Sequence, residues 1–147
     1  MPSPTPTPPP TIPDTIRAAE RQLLAAAADD ATSSRVADVA MQRFDELTRY
    51  LAPLVGEMGA RALFARSTAD ARSTHPWLAA TTATDPPWVS LRGVMERQDP
   101  RAIRDGFVGL LSTLMELLAR LVGDGMVRRF LHDVWPQLFP QVPKESR

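Results

Sequence analysis

The sequence predicts an all-α protein, and three observations support this prediction. Apolar residues after Ile12 recur every three or four positions along most of the chain, which is the spacing of one face of an α-helix. Alanine and leucine, both strong helix formers, are abundant in the same region. No stretch alternates apolar and polar residues between hairpin turns, as a strand would. We therefore expect a bundle of five or six helices, built from two related αα-hairpins.

The prolines suggest where the helical domain begins. Seven of the 15 prolines lie within residues 1–13, MPSPTPTPPPTIP. Because proline lacks a backbone donor and has a fixed φ, this stretch is expected to be a disordered, extended tail, either a linker or an SH3-type ligand. Residues 14–140 then form one helical domain, and residues 141–147 form a flexible C-terminus. A domain of this size buries enough surface to fold without a metal or a crosslink.

The first half of the domain contains three predicted helices. Thr11 or Asp14 caps the first, which continues through the alanine-rich stretch DTIRAAERQLLAAAADD. The second begins near Ser34, and its apolar face consists of Val36, Ala40, Phe44, Leu47, Leu51 and Leu54. Pro53 either kinks this helix or starts the next one early. The third helix runs from Glu57 to about Ser73, with one apolar face formed by Ala60, Leu63 and Phe64.

The second half begins after one long break, STHPWLAATTATDPP. Asp85 is expected to cap a short helix that has Pro86 at its first position, and the Asp99-Pro100 pair repeats this start pattern. Helix 100–122 then has apolar residues at a 4-3-4-3-4 spacing, namely Ile103, Phe107, Leu110, Leu114, Leu117 and Leu121. A last helix follows Gly123 and stops at Pro136.

A short repeat connects the two halves. LAPLVGE at 51–57 and LARLVGD at 118–124 are identical at five of seven positions. Glycine ends a helix readily because it adopts positive φ without steric cost, and an acid at the start of the next helix interacts favourably with its dipole. An arginine four residues after each acid adds a favourable ion pair. The repeat predicts one helix corner used twice, with these residues: Gly56, Glu57 and Arg61, then Gly123, Asp124 and Arg128.

Composition and charge exclude several classes of function. The chain has no cysteine, so it has no disulfide, no thiolate metal site and no cysteine nucleophile. It carries 17 basic and 17 acidic residues, which makes nucleic acid and acidic membranes poor partners. The most apolar run, 107–122, contains Glu116 and Arg120 and is too short to cross a bilayer. Without a recognisable signal peptide, we expect a cytoplasmic protein.

Residues suited to catalysis or metal binding are sparse. The two histidines, His75 and His132, are far apart, and arginine occupies the position three before each, where Glu-x-x-His di-iron bundles have glutamate. There is no glycine-rich phosphate loop and no strand-turn nucleophile motif. The adjacent acidic pairs, such as Asp29-Asp30, point in different directions on a helix. We expect no enzyme activity, no cofactor, no metal and no small-molecule substrate.

Two motifs provide alternative hypotheses. The stretch FLHDVWP around His132 resembles the phosphoacceptor box of sensor histidine kinases, although Pro136 comes one residue early. The chain is also similar in size and class to histidine phosphotransfer bundles, but lacks the Lys-Gly that follows their histidine. The first glycine corner is compatible with a DNA-binding helix-turn-helix, since small residues occupy Ala52, Ala62 and Ala65, but Pro53 interrupts that pattern.

The leading hypothesis concerns helix 100–122, which is apolar around more than one side. Such a helix is either central in its own bundle or shared with a partner, and Gly106 and Gly109 would allow another helix to approach closely. We therefore expect a protein-protein interaction or regulatory adaptor module whose partner is another protein or a second copy, with a possible homodimer through this helix. The expected surface anchors are Trp77, Trp88 and Trp135.

Overall fold

The computed structural model describes residues 11–28, 30–80 and 88–139, which form helices joined by turns and contain no β-strand. This confirms the predicted all-α class for the described residues. They contain seven α-helices: α1 Ile12–Ala18, α2 Glu20–Leu23, α3 Ser33–Val55, α4 Glu57–Ala71, α5 Trp88–Glu96, α6 Pro100–Val122 and α7 Asp124–Val134. A 3₁₀ helix, Pro76–Ala80, follows α4.

The first helix begins earlier than the proline content suggested. Thr11 is its N-cap, and the Thr11 hydroxyl accepts a hydrogen bond from the Asp14 amide at 3.1 Å. Ile12 is buried, so the domain boundary expected after residue 13 falls inside α1. Pro13 is tolerated because the first helical positions have no intrahelical partner for an N–H. The rest of the predicted tail, residues 1–10, and the predicted C-terminal segment 141–147 lie outside the described residues.

The prediction of one long alanine-rich helix was wrong. The chain leaves regular α-helix at Ala19 and again after Leu23, despite the high helix propensity of alanine. Where the helix ends, backbone carbonyl groups lose their intrahelical partners, and arginine side chains from α3 and α6 donate hydrogen bonds to them. Arg43 donates to Leu23 O at 2.7 Å, and Arg104 donates to Ala28 O at 2.9 Å. Tertiary hydrogen bonds thus override local propensity.

Helices α3 and α6 form the centre of the bundle and run in the same direction. The Ser33 hydroxyl at the start of α3 donates to Gln98 O, just before α6 begins. Farther along, the ring of Phe44 lies 5.1 Å from that of Phe107 and 5.5 Å from that of Phe64 on α4. Because α3 and α6 each have 23 residues and begin together, they also end at the same end of the bundle.

The predicted apolar faces are buried along most of their length. In α6, Ile103, Phe107, Leu110, Leu114 and Leu118 are at most 1% exposed, packed against helices of the same chain. Leu54 and Leu121, the last predicted core positions of α3 and α6, are exposed instead. The apolar face of each of these two helices is therefore part of the core up to the last helical turn, where Leu54 and Leu121 are exposed.

Both glycine corners have the positive φ that the sequence predicted. Gly56 has φ 82° and ψ 160°, and Gly123 has φ 91° and ψ 156°. Their amides donate to Ala52 O and Ala119 O, in each case at 2.7 Å. Pro53 lies within α3, which continues to Val55, so it does not start the next helix. The two corners share one backbone conformation, and the chain reverses direction at each.

Helix α5 contributes Leu91 and Met95 to the core and contacts α3, and an exposed ion pair also links these two helices. Arg92 forms ion pairs with Asp38 on α3 and, at 2.9 Å, with Glu96 on its own helix. The hydrogen bond to the Asp38 carboxylate raises the pKa of Arg92 above its usual value. The expected cap of this helix, Asp85-Pro86, lies outside the described residues. The next predicted cap is confirmed, because Asp99 Oδ1 accepts from the Ala102 amide at 2.9 Å and α6 begins at Pro100.

Among the residues that the structure describes, none of the helices combines the length and the apolar character needed to pass through a bilayer.

Candidate functional site

Five large apolar side chains are exposed in the described part of the chain, and all lie within six residues of Gly56 or Gly123. Met58 is 78% exposed and Leu121 is 65% exposed. Since α3 and α6 end together, these side chains share one end of the bundle. We call this the corner surface, defined by Tyr50, Leu54, Met58, Leu121 and Met126.

The helix ends explain why these residues are exposed. Leu54 and Leu121 each lie two residues before the corner glycine, at positions that continue the buried stripe of their helix. After the glycine the chain turns back, so no further turn of helix covers them. Isolated apolar residues on a surface are ordinary, but a group confined to one end is typical of a contact surface.

Charged residues of both signs border the corner surface. Glu57 begins α4 and is largely exposed, and its Oε1 lies 3.5 Å from Arg61 Nη2. Arg49, one residue before Tyr50, forms an ion pair with Asp45 at 3.0 Å. Asp124 begins α7 and is exposed at the second corner. The border therefore offers both carboxylates and guanidinium groups to a partner.

Two of the three predicted tryptophan anchors make contacts within the chain. Trp135 is 6% exposed, and its Nε1 donates to Glu46 Oε1 on α3 at 2.8 Å. Trp77 packs on α6 at Gly106, where an added Cβ would lie 2.2 Å from the tryptophan Cζ2. Both side chains make contacts within the bundle, and their role as partner anchors stays a prediction. Trp88 opens α5, and its side chain lies outside the described residues.

The two glycines of α6 also serve the fold. Gly106 accommodates Trp77, and an added Cβ at Gly109 would lie 2.5 Å from His75 Nε2. The close approach that these glycines permit is therefore to side chains of the same molecule. Most leucines of helix 100–122 are buried, and both of its glycines contact the same chain. The part of this helix that remains exposed for self-association is its C-terminal end, at Leu121.

His132, the alternative phosphoacceptor, is half-buried on α7. Its Nδ1 lies 2.9 Å from Phe139 O, and because a carbonyl oxygen can only accept, Nδ1 is the donor. This contact links α7 to the turn that follows it. His75 is also half-buried, with its ring 6.5 Å from that of Trp77. Within the described residues, no three histidine, aspartate or glutamate side chains are grouped so as to hold a metal ion.

The role of Trp135 gives a prediction about stability. Trp135→Phe keeps the aromatic packing against Phe139 but removes the N–H that Glu46 accepts. We expect the free energy of unfolding to fall by about 1–2 kcal/mol, since the bond is made to a charged and partly buried acceptor. Urea unfolding measures the change. The double variant Trp135→Phe/Glu46→Ala should lose less than the sum of the single variants, and full additivity would contradict the role of this hydrogen bond.

Sequence reasoning did not identify the corner surface as a site. Tyr50, Met58 and Met126 belong to no motif, and Leu54 and Leu121 were expected in the core. The sequence signal that could have identified this surface is the presence of apolar residues on both sides of the two glycines that end helices. No protein family model, curated protein or solved structure matches this chain.

Proposed function

We propose that this protein is a non-enzymatic interaction module that associates with a second copy of itself through the corner surface. The observation that carries the proposal is the confinement of the exposed large apolar side chains of the described residues to one end of the bundle. Burying such side chains contributes roughly 25 cal/mol per Å² of apolar surface. The absence of cysteine supports a reducing, cytoplasmic setting for this association.

The charges of the protein favour a second copy of the chain as the partner that covers the corner surface. The net charge of the chain is zero, so two copies have no overall repulsion. The border of the corner surface carries both signs, and in a two-fold interface the exposed Glu57 of one copy can meet an arginine of the other. We further propose that the α3–α4 and α6–α7 hairpins are two uses of one structural unit. The similar φ and ψ angles of the two glycines support this, and each hairpin has exposed apolar residues at its corner.

Acidic substitutions test the interface. Met58→Glu and Leu121→Glu each place a charge among apolar side chains, and in a two-fold interface the charge enters twice. We expect the dissociation constant of the dimer to rise at least about tenfold, which corresponds to about 1.4 kcal/mol. Light scattering across a concentration series measures the dissociation constant, and circular dichroism verifies that each variant is folded.

A matched control is Ala69→Glu, which adds the same charge to an exposed position on α4 away from the corner. This variant should dimerise like the unmodified protein. A protein that stays monomeric up to about 1 mM contradicts self-association, as does an equal loss in the control and the corner variants.

Phosphorelay through His132 is the second candidate function. The observation in its favour is the hydrogen bond that Nδ1 donates to Phe139 O, which orients the imidazole ring and makes Nε2 the nitrogen for phosphorylation. A small-molecule phosphodonor should then produce acid-labile phosphate on the chain, and His132→Gln should abolish it. Failure of the unmodified protein to take up phosphate rejects this candidate.

DNA binding is a weaker alternative. Arg61 and Arg66, the basic residues of the first corner helix, pair with Glu57 and Asp70 on the same helix, so their charge is partly offset. Salt-dependent retention on duplex DNA would be required to support it.

A further inference from the structure

The N-terminal segment, residues 12–28, depends on the rest of the bundle for its structure. Its two helices have seven and four residues, and helices this short are not stable alone in water. The segment contributes four large apolar side chains to the core: Ile12, Ile16, Leu23 and Leu24. Helices α3, α4 and α6 also pack against one another, so the segment can open as a unit while these three stay packed.

Two arginines of α3 bind backbone carbonyls near the end of the N-terminal segment. Arg35 donates to Ala26 O at 3.1 Å, and Arg43 Nε donates to Leu23 O at 2.7 Å. Both bonds exist only while the segment is docked, so weakening either of them makes opening more frequent.

Arg43 is also connected to the residue that ends α7. Arg43 Nη1 donates to Glu46 Oε1 at 2.9 Å, and the same oxygen accepts the indole N–H of Trp135 at 2.8 Å. The planar guanidinium can donate to two acceptors at once, here a carbonyl of the segment and a carboxylate of α3. A continuous chain of hydrogen bonds therefore links Leu23 to Trp135, and Arg35 binds the segment from outside this chain.

We infer that Trp135 controls the docking of the N-terminal segment through Glu46 and Arg43. The indole fixes the position of the Glu46 carboxylate, and the carboxylate fixes the guanidinium that reaches Leu23 O. Hydrogen bonds in a partly buried chain also strengthen one another. When Trp135 is withdrawn, Glu46 and Arg43 gain rotational freedom and the bond to Leu23 O weakens.

This coupling acts in both directions, because linkage between two sites is reciprocal. Opening of the N-terminal segment weakens the bond of Trp135 to Glu46, and a partner protein that captures the Trp135 indole opens the segment. The inference does not depend on dimerisation, since no residue of the corner surface belongs to the chain of hydrogen bonds.

Hydrogen exchange measured by NMR on the whole chain tests the coupling. The amides of Leu23, Leu24 and Ala27 report opening, since each donates to a carbonyl of the N-terminal segment. We expect these three amides to exchange at least about tenfold faster than those in the middle of α6. Trp135→Phe keeps an aromatic ring but removes the indole N–H, and should raise the exchange rates of the three amides about threefold or more.

Arg35→Ala and Arg43→Ala form a matched pair, because each removes an arginine of α3 that donates to the N-terminal segment. Both should raise the exchange of the segment at least about tenfold. Only Arg43→Ala should also accelerate exchange of the Trp135 indole N–H. Adding Trp135→Phe should have no further effect on the segment in the Arg43→Ala protein, but its full effect in the Arg35→Ala protein.

Three results would overturn the inference. The first is unchanged exchange of the three amides in Trp135→Phe, and the second is an equal effect of Trp135→Phe in the two arginine variants. The third is exchange of the N-terminal segment only together with the middle of α6, which would show that the segment does not open separately. A general loss of stability in Trp135→Phe is distinguishable, because it accelerates the α6 amides and leaves local opening of the segment unchanged.

Discussion

Replacing Phe107 with alanine is expected to lower the free energy of unfolding by about 3–5 kcal/mol. Phe107 has no exposed surface and lies where α3, α4 and α6 meet. Its ring contacts Phe44, which in turn packs edge-on against Phe64, so the truncation leaves a cavity beside an aromatic cluster. A loss of this size is a large fraction of the roughly 5–15 kcal/mol that stabilises a domain.

Urea unfolding followed by circular dichroism measures this loss, and an unchanged m-value shows that the unfolded state is the same. The matched control is Leu121→Ala, which truncates another large apolar residue of α6 that is 65% exposed. For the control we expect a change below about 1 kcal/mol. Similar losses in the two variants would contradict both the position of the core and the exposure of the corner surface.

Gly56→Ala and Gly123→Ala are each expected to cost about 1–3 kcal/mol. With φ near 80–90° and ψ near 160°, both glycines lie in a backbone region that residues with a Cβ rarely adopt. Neither glycine has another group within 4 Å of an added Cβ, so the cost comes from the backbone and not from a steric clash with a neighbour.

Gly125→Ala, two residues after Gly123, is expected to raise the stability of the protein. Gly125 lies in the first turn of α7 without positive φ, and an added Cβ meets nothing within 4 Å. Alanine is favoured over glycine within helices, so this variant should be more stable by as much as 0.5–1 kcal/mol. Thermal and urea unfolding should therefore show changes of opposite sign at 123 and 125. Changes of the same sign would contradict the corner conformation.

The sequence predicted best those elements whose limits are set locally. The start of α6 follows from Asp99, whose side chain accepts from an amide of the first turn. Helix α3 begins at Ser33, next to the predicted start near Ser34, and the Thr32 hydroxyl accepts from the Arg35 amide there. The two corners were also predictable from local sequence. Each needs only a glycine, which can adopt positive φ, between two helices. The alanine-rich segment was predicted wrongly because its limits depend on Arg43 and Arg104, which come from helices distant in sequence.

The sites were less predictable because exposure depends on packing. Nothing in the spacing of α6 distinguishes the buried Leu118 from the exposed Leu121, since the difference arises where neighbouring helices stop. Trp135 was expected at a surface, but a hydrogen bond to Glu46 and burial place it inside.

The arginine bonds to the N-terminal carbonyls have a consequence for biosynthesis. Residues 12–28 are synthesised before the helices that they pack against, and Arg104, which donates to Ala28 O, is made 76 residues after its acceptor. Arg43 of α3 can bind Leu23 O earlier, but the main packing surface of α1 is on α6, so α1 docks only after most of the helical bundle has been made. We expect α1 to be among the last helices to acquire its native position, and a nascent chain arrested before α6 to leave α1 accessible to proteases.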